Sequence, residues 1–131
     1  MKFSAHIKND PAGHEVTLKV GEKEQTLPIA RKLTGGSSVT GGELLFLALA
    51  TCFCNDIFRE GMKRGIQVES VEVEVDGDFE AERMPATNIV YRARVKAEAS
   101  EEEFQELILY TDSIAEIQNT VRLGTPVKLE I

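Results

Sequence analysis

The sequence contains no tryptophan, only two cysteines and two histidines, and fewer basic than acidic residues, 15 against 22. Two cysteines at CxC spacing do not provide the framework of paired bridges that staples small secreted domains. The net charge of −7 argues against a nucleic-acid-binding protein, which needs a basic face to neutralise phosphates. Much of the acid falls in alternating patterns and in the run 101–103. We interpret it as solvated surface rather than as a cation site.

Long hydrophobic runs are also absent from the sequence. The longest is Leu44–Ala50, well short of the roughly 20 residues of a membrane span. Residues Met1–Ser4 lead into an alternating pattern with no signal-peptide core. With an ordinary apolar fraction of 42%, these features predict one globular domain over residues 1–131 that does not bind membranes. The expected location is the cytoplasm, where thiols stay reduced.

The order of local patterns predicts an α+β fold with largely antiparallel sheets. Loose alternation over Lys2–Asn9, Glu15–Val20 and Lys23–Leu27 predicts a three-stranded meander. A loop rich in glycine and serine, Leu33–Gly42, follows it. Loops of that length in a small domain are often functional.

A long helix is predicted after this loop. Thr40 and Glu43 have the spacing of a capping box, and Gly65 is a natural stop. The first half of the helix is apolar on every side, so it needs cover all round. The chain is short to supply that cover by itself, and we therefore predict that two copies dimerise through this helix.

The remaining sequence predicts two strands, two helices and a last strand. Strict alternation marks Val68–Asp76 and Asn88–Ala97 as half-buried strands. Ser100 and Glu103 form a second capping box at the start of a helix. Asp112-Ser113 is predicted to cap another short helix, and Pro126–Ile131 is predicted to end the chain as a strand.

Both cysteines, Cys52 and Cys54, lie on the long helix. Because successive helical residues turn by about 100°, the two thiols point to nearly opposite sides. They can neither form a mutual disulfide nor chelate one metal, and the histidines His6 and His14 lie in the N-terminal strands. We therefore expect no metal and no cofactor.

Packing and reactivity are the two alternatives for these thiols. Free cysteines usually behave as small buried hydrophobic groups, and we assign that role to Cys54. A reactive thiol must ionise, which needs a nearby cation. The helix offers none before Arg59. Arg31 and Lys32, just before the glycine-rich loop, are the candidates to activate Cys52.

The segment from Gly42-Glu43-Leu44-Leu45 through Ala48-Leu49-Ala50-Thr51-Cys52-Phe53 resembles the central helix of the OsmC/Ohr proteins, the osmotically induced and organic-hydroperoxide-resistance family. The order of elements is similar over most of the chain. The resemblance implies an OsmC-like fold in which antiparallel sheets wrap around a long central helix in an intertwined homodimer. That arrangement would explain why the start of the helix is apolar all round.

The same resemblance implies thiol peroxidase chemistry. In this family a thiolate attacks an organic hydroperoxide, an Arg stabilises the thiolate, a Glu orients the Arg, and a second cysteine resolves the product. Cys52 matches the attacking cysteine. Arg31 and Glu43 each lie one residue away from the counted Arg and Glu positions, which fall on Lys32 and Gly42.

Asn119 stands where the family has its second cysteine. The resemblance therefore predicts a member that keeps the nucleophile and lacks the resolving half.

Three functions compete on this evidence. The first is a one-cysteine thiol peroxidase with peroxiredoxin-like activity, in which an external thiol would reduce oxidised Cys52. The second is a non-catalytic protein that binds an apolar or sulfur-containing molecule in a pocket between the subunits, lined by Phe46, Phe53 and the glycine-rich loop. The third is a structural or regulatory protein that acts through its acidic surface.

Overall fold

Five strands and three helices make up the fold, and the computed structural model describes all of residues 1–131. They are, in order, β1 (Phe3–Asp10), β2 (Gly13–Val20), β3 (Lys23–Thr26), α1 (Gly41–Lys63), β4 (Gln67–Asp78), β5 (Thr87–Glu98), α2 (Glu101–Ile114) and α3 (Glu116–Arg122). Both sheets are antiparallel, so the predicted α+β class is confirmed. The chain forms two units, Met1–Leu44 and Leu45–Ile131; a single domain over 1–131 stays a prediction.

The first unit contains the predicted three-stranded meander, in the order β1-β2-β3. Gly21 joins β2 to β3 with a φ of +58°, a left-handed conformation that glycine adopts without steric cost. The glycine-rich loop is tied to the end of β1. The side chain of Asn9 accepts a hydrogen bond from the Gly36 N–H and donates one to the Gly36 carbonyl, both at 3.1 Å.

Both ends of α1 follow from local sequence. Thr40 Oγ1 accepts from the Glu43 N–H at 3.1 Å and Glu43 Oε1 accepts from the Thr40 N–H at 3.0 Å, so the predicted capping box is confirmed. At the other end Gly65 has a φ of +69°. The N–H of Ile66 reaches back to the Gly61 carbonyl at 2.8 Å, a Schellman termination that satisfies the last carbonyls.

By length and composition α1 meets the criteria for a membrane-crossing helix. The core helix of a soluble protein meets the same criteria, so this property alone does not separate the two classes.

The second unit has its core between α1, the β4–β5 pair and α2. Phe53, Ile57, Ile66 and Leu107 are buried together. Alternation along both strands puts one face against them, with pairs such as Val71↔Val95 and Val73↔Ala93. The strict alternation that predicted these strands therefore corresponds to the burial of one face of each strand.

The start of α3 differs from the prediction. Ser100 and Glu103 cap α2 as expected, but Asp112-Ser113 caps nothing and lies within α2, which continues to Ile114. Asp112 instead accepts hydrogen bonds from the Tyr91 hydroxyl and from Arg122. Tertiary partners thus take the carboxylate that a local cap would have used. Ala115 ends α2 and also precedes α3.

The prediction of a final strand is wrong for this chain. Residues 126–131 have no strand hydrogen bonds, and Val127, Leu129 and Ile131 are almost fully exposed. Alternation shows which side chains a strand would bury, but a strand also needs a partner edge, and none in this chain pairs with the segment.

Candidate functional site

Cys52 lies partly buried on α1 with a carboxylate one helical turn further on. Residues four apart share a helix face, and the Cys52 thiol donates a hydrogen bond to Asp56 Oδ2 with a sulfur–oxygen distance of 3.6 Å. Glu116 and Ile117 lie at the start of α3, and their backbone N–H groups act to lower the pKa of this thiol. The sulfur therefore has a hydrogen-bond acceptor on α1 and lies near the polar N–H groups at the start of α3.

A buried amide holds α3 beside α1. Gln118 Nε2 donates to the carbonyl of Leu49 at 3.0 Å, and Leu49 lies one turn before Cys52 on the helix. The side-chain oxygen of Gln118 is buried with no hydrogen-bond partner. This contact positions the first residues of α3 against the thiol.

Arg59 forms ion pairs with two buried carboxylates on the same helix. The side chain of Asp56 is 6% exposed, and Arg59 Nη1 lies 2.8 Å from its Oδ1. Arg59 Nε lies 2.9 Å from Oε2 of Glu60, to which Lys63 adds a longer contact of 3.6 Å. Buried charges need such pairing, and Arg59 fixes the Asp56 carboxylate next to the thiol.

These surroundings favour the protonated thiol. Burial raises the pKa of Cys52, the Ile117 and Glu116 N–H groups act to lower it, and the Asp56 carboxylate raises it. The net effect is a pKa above the ordinary value for cysteine. In this chain Cys52 is a hydrogen-bonded thiol at neutral pH.

Alkylation should therefore depend steeply on pH. Only the thiolate reacts, so the rate at which iodoacetamide modifies Cys52 should rise about tenfold per pH unit between about pH 7 and pH 9. Mass spectrometry of Cys54→Ala protein, with glutathione as the reference thiol, measures this rate. A rate that levels off below about pH 7 would show that the thiol is activated instead.

The other two predicted site residues lie in the first unit. The backbone of Arg31 forms an isolated antiparallel β-bridge with Ser37. The Nη1 atom of Arg31 donates a hydrogen bond to the Leu33 carbonyl at 3.2 Å. The Glu43 carboxylate is held by Thr40, and this hydrogen bonding lowers its pKa. Catalytic roles for Arg31 and Glu43 stay predictions.

Asn119, at the position of the expected second cysteine, has a structural role. Its Nδ2 donates to the Ser113 carbonyl at 3.0 Å, and its Oδ1 accepts from Arg122 at 3.0 Å. These two bonds connect the end of α2 to the end of α3.

Cys54 lies away from this site. It lines an open cavity with Ala50, Thr51, Asn55 and Val73, which agrees with the opposite orientation predicted for the two thiols. No group of three or more His, Cys, Asp or Glu side chains is arranged to hold a metal ion.

The binding pocket predicted from the sequence lies between two subunits and stays a prediction. Phe53 is 1% exposed and belongs to the core, where its ring packs edge-on against Tyr91 at 4.9 Å between centroids. Phe46 stacks on Phe79. Apolar residues on a helix predict burial, but not whether the burial is against protein or ligand.

Sequence reasoning missed Asp56 and Gln118. A signal for Asp56 was present, since it is a charged residue four positions after Cys52 on an apolar helix. For Gln118 there was none, because its partner Leu49 is 69 residues away.

Comparisons with known proteins agree with this arrangement of elements. A family model described as OsmC-like protein matches residues 34–130, while a search of curated proteins found no match. An OsmC-like protein from Mycoplasma pneumoniae is 17% identical, with a TM-score of 0.61, over 91% of this chain and 87% of that one. An OsmC-like protein of unknown function from Vibrio cholerae is 15% identical, with a TM-score of 0.64, over 92% and 93%.

The organic hydroperoxide resistance protein OhrB of Bacillus subtilis has a similar fold as well. It is 15% identical, with a TM-score of 0.56, over 99% of this chain and 97% of that one. At these identities the solved structures establish the fold alone. The family model spans most of the chain, and the chain belongs to the OsmC-like family.

Proposed function

We propose that this protein is a one-cysteine thiol peroxidase that reduces organic hydroperoxides through Cys52. The observation that carries the proposal is the Cys52 thiol itself, which is partly exposed and donates a hydrogen bond to Asp56 Oδ2 at 3.6 Å. The N–H groups of Glu116 and Ile117 act to lower its pKa, and such groups stabilise negative charge as it develops on a reacting atom. Similarity to proteins named for hydroperoxide resistance supports the substrate class.

The reaction consumes two external thiols. The Cys52 sulfur attacks one peroxide oxygen and the O–O bond breaks, giving an alcohol and Cys52 sulfenic acid. One external thiol then displaces water to form a mixed disulfide, and a second releases reduced Cys52 and an external disulfide. An external reductant is needed because Asn119 replaces the second cysteine and Cys54 faces a different cavity.

Trapping the sulfenic acid tests the proposal. Reduced protein treated with one equivalent of cumene hydroperoxide and then with dimedone should carry one adduct per chain, on Cys52, as read by peptide mass spectrometry. The Cys54→Ala protein should give the same yield. An adduct confined to Cys54, or no adduct, would contradict the proposal.

We include a homodimer and a cytoplasmic location in the proposal. Asp56, Arg59, Glu60 and Lys63 place charge in the second half of α1, so the apolar surface of this helix suits a protein partner better than a bilayer. Leu47 and Met62 on α1 are 57% and 80% exposed in the single chain. A second copy covering α1 would bury these side chains, and sedimentation equilibrium would measure the association.

A second candidate is a non-catalytic protein that binds a small molecule. It is favoured by the protonated state of Cys52, because a thiol held by Asp56 is a poor nucleophile. Thermal stabilisation by an apolar ligand that persists in Cys52→Ala protein would support this candidate. The binding function would also be supported if hydroperoxide left Cys52 unmodified.

A further inference from the structure

We infer that Asp56 is the proton acceptor for Cys52, taking the thiol proton as the sulfur attacks the peroxide and returning it to the departing oxygen. The inference rests on the proposed peroxidase function and adds a residue to it. Its geometric basis is the direct hydrogen bond from the Cys52 thiol to Asp56 Oδ2. Asp56 is thus in contact with the reacting atom.

A protonated nucleophile needs such a partner. When Cys52 attacks, it must lose its proton, and the departing alkoxide must gain one. A carboxylate in hydrogen-bond contact can do both, since general acid–base groups act within that distance. The proton that leaves sulfur then ends on the product alcohol, and no other proton source is required.

The surroundings of Asp56 suit a relay. Its side chain is 6% exposed, so bulk water has little access to a proton held there. The Arg59 ion pair on Oδ1 leaves Oδ2 directed at the thiol. Arg59 itself cannot act as the acid, because its hydrogen bond to Glu60 raises its pKa.

No other charged side chain acts directly on the sulfur. Asp56 is the one charged side chain that shifts the pKa of Cys52, and α3 contributes only the backbone N–H groups of Ile117 and Glu116. Glu60 is as buried as Asp56 and shares Arg59, but it lies a further turn along α1. The chain therefore supplies a matched control.

The test compares Asp56→Asn with Glu60→Gln in two assays on the full-length protein. Asparagine keeps the size of the side chain and removes the charge. We expect Asp56→Asn to make iodoacetamide alkylation of Cys52 about tenfold faster at neutral pH, because a carboxylate that opposes ionisation is gone. The rate of Cys52 oxidation by cumene hydroperoxide should instead fall about 100-fold. Glu60→Gln should change neither rate by more than about twofold.

Opposite changes in the two rates support the relay. If both rates rise in Asp56→Asn, the carboxylate only suppresses the thiolate, and the inference is overturned. Equal effects of the two substitutions would overturn it as well, because any buried carboxylate on α1 would then influence Cys52 to the same extent. Wild-type protein that forms no sulfenic acid would refute the proposed function itself, an outcome distinct from these.

An infrared measurement covers the case in which Asp56→Asn does not fold. In Cys54→Ala protein, Cys52 supplies the one S–H stretching band. Hydrogen bonding to a carboxylate should shift that band below the frequency of glutathione in water. A band at the glutathione frequency would overturn the inference.

Discussion

Cys52→Ser protein is expected to consume no cumene hydroperoxide above the uncatalysed background, while Cys54→Ser protein keeps the wild-type rate within about twofold. Serine has nearly the shape of cysteine, but the thiolate is the nucleophile in this chemistry, and a hydroxyl cannot replace it. Consumption of the hydroperoxide with dithiothreitol as the reductant measures both rates.

The two cysteines are a close pair of controls because they lie on one helix, both partly buried. Only Cys52 donates a hydrogen bond to a carboxylate. Equal turnover in the two serine variants would mean that the reaction does not depend on this environment, and the peroxidase proposal would fail.

Phe53→Ala should strongly destabilise the protein, lowering the free energy of unfolding by about 3–5 kcal/mol. The ring is 1% exposed and packs edge-on against Tyr91. Its loss leaves a cavity in the core of the second unit, beside the strand that carries Tyr91. Urea denaturation at fixed protein concentration measures the change, since association would make stability depend on concentration.

Phe79→Ala is the matched control for this substitution. Phe79 is 52% exposed and its packing includes a stacked contact with Phe46, so the expected loss is about 1 kcal/mol. Similar losses for the two alanine variants would show that Phe53 is not a core residue of the folded protein.

The sequence predicted the elements whose ends depend on neighbouring residues. Thr40 with Glu43 and Ser100 with Glu103 form both of their capping boxes, because each box needs only residues three apart. The ends of other elements depend on distant partners. Asp112 is predicted to cap a helix, but its carboxylate accepts a hydrogen bond from the Tyr91 hydroxyl, 21 residues away along the chain.

The contacts of the candidate site likewise include one between near residues and one between distant residues. Cys52 and Asp56 are four residues apart on one helix, so their contact could have been inferred from the spacing. The position of α3 beside α1 could not, because it depends on the long-range bond between Gln118 and Leu49. A local pattern also cannot say whether a partner edge exists, and Pro126–Ile131 forms no strand in this chain.

The residue before α3 limits how far the start of that helix can be strengthened. Ala115 offers no side-chain acceptor and is fully buried. In both capping boxes of this chain the cap hydroxyl accepts from the N–H three residues further on, which for position 115 is the N–H of Gln118. Serine at position 115 would supply that acceptor, but it would also bury a hydroxyl group, which costs free energy unless it is fully hydrogen-bonded. Gln118 ties α3 to Leu49 on α1, so a substitution chosen only to strengthen α3 would act on the same residue that holds it beside Cys52.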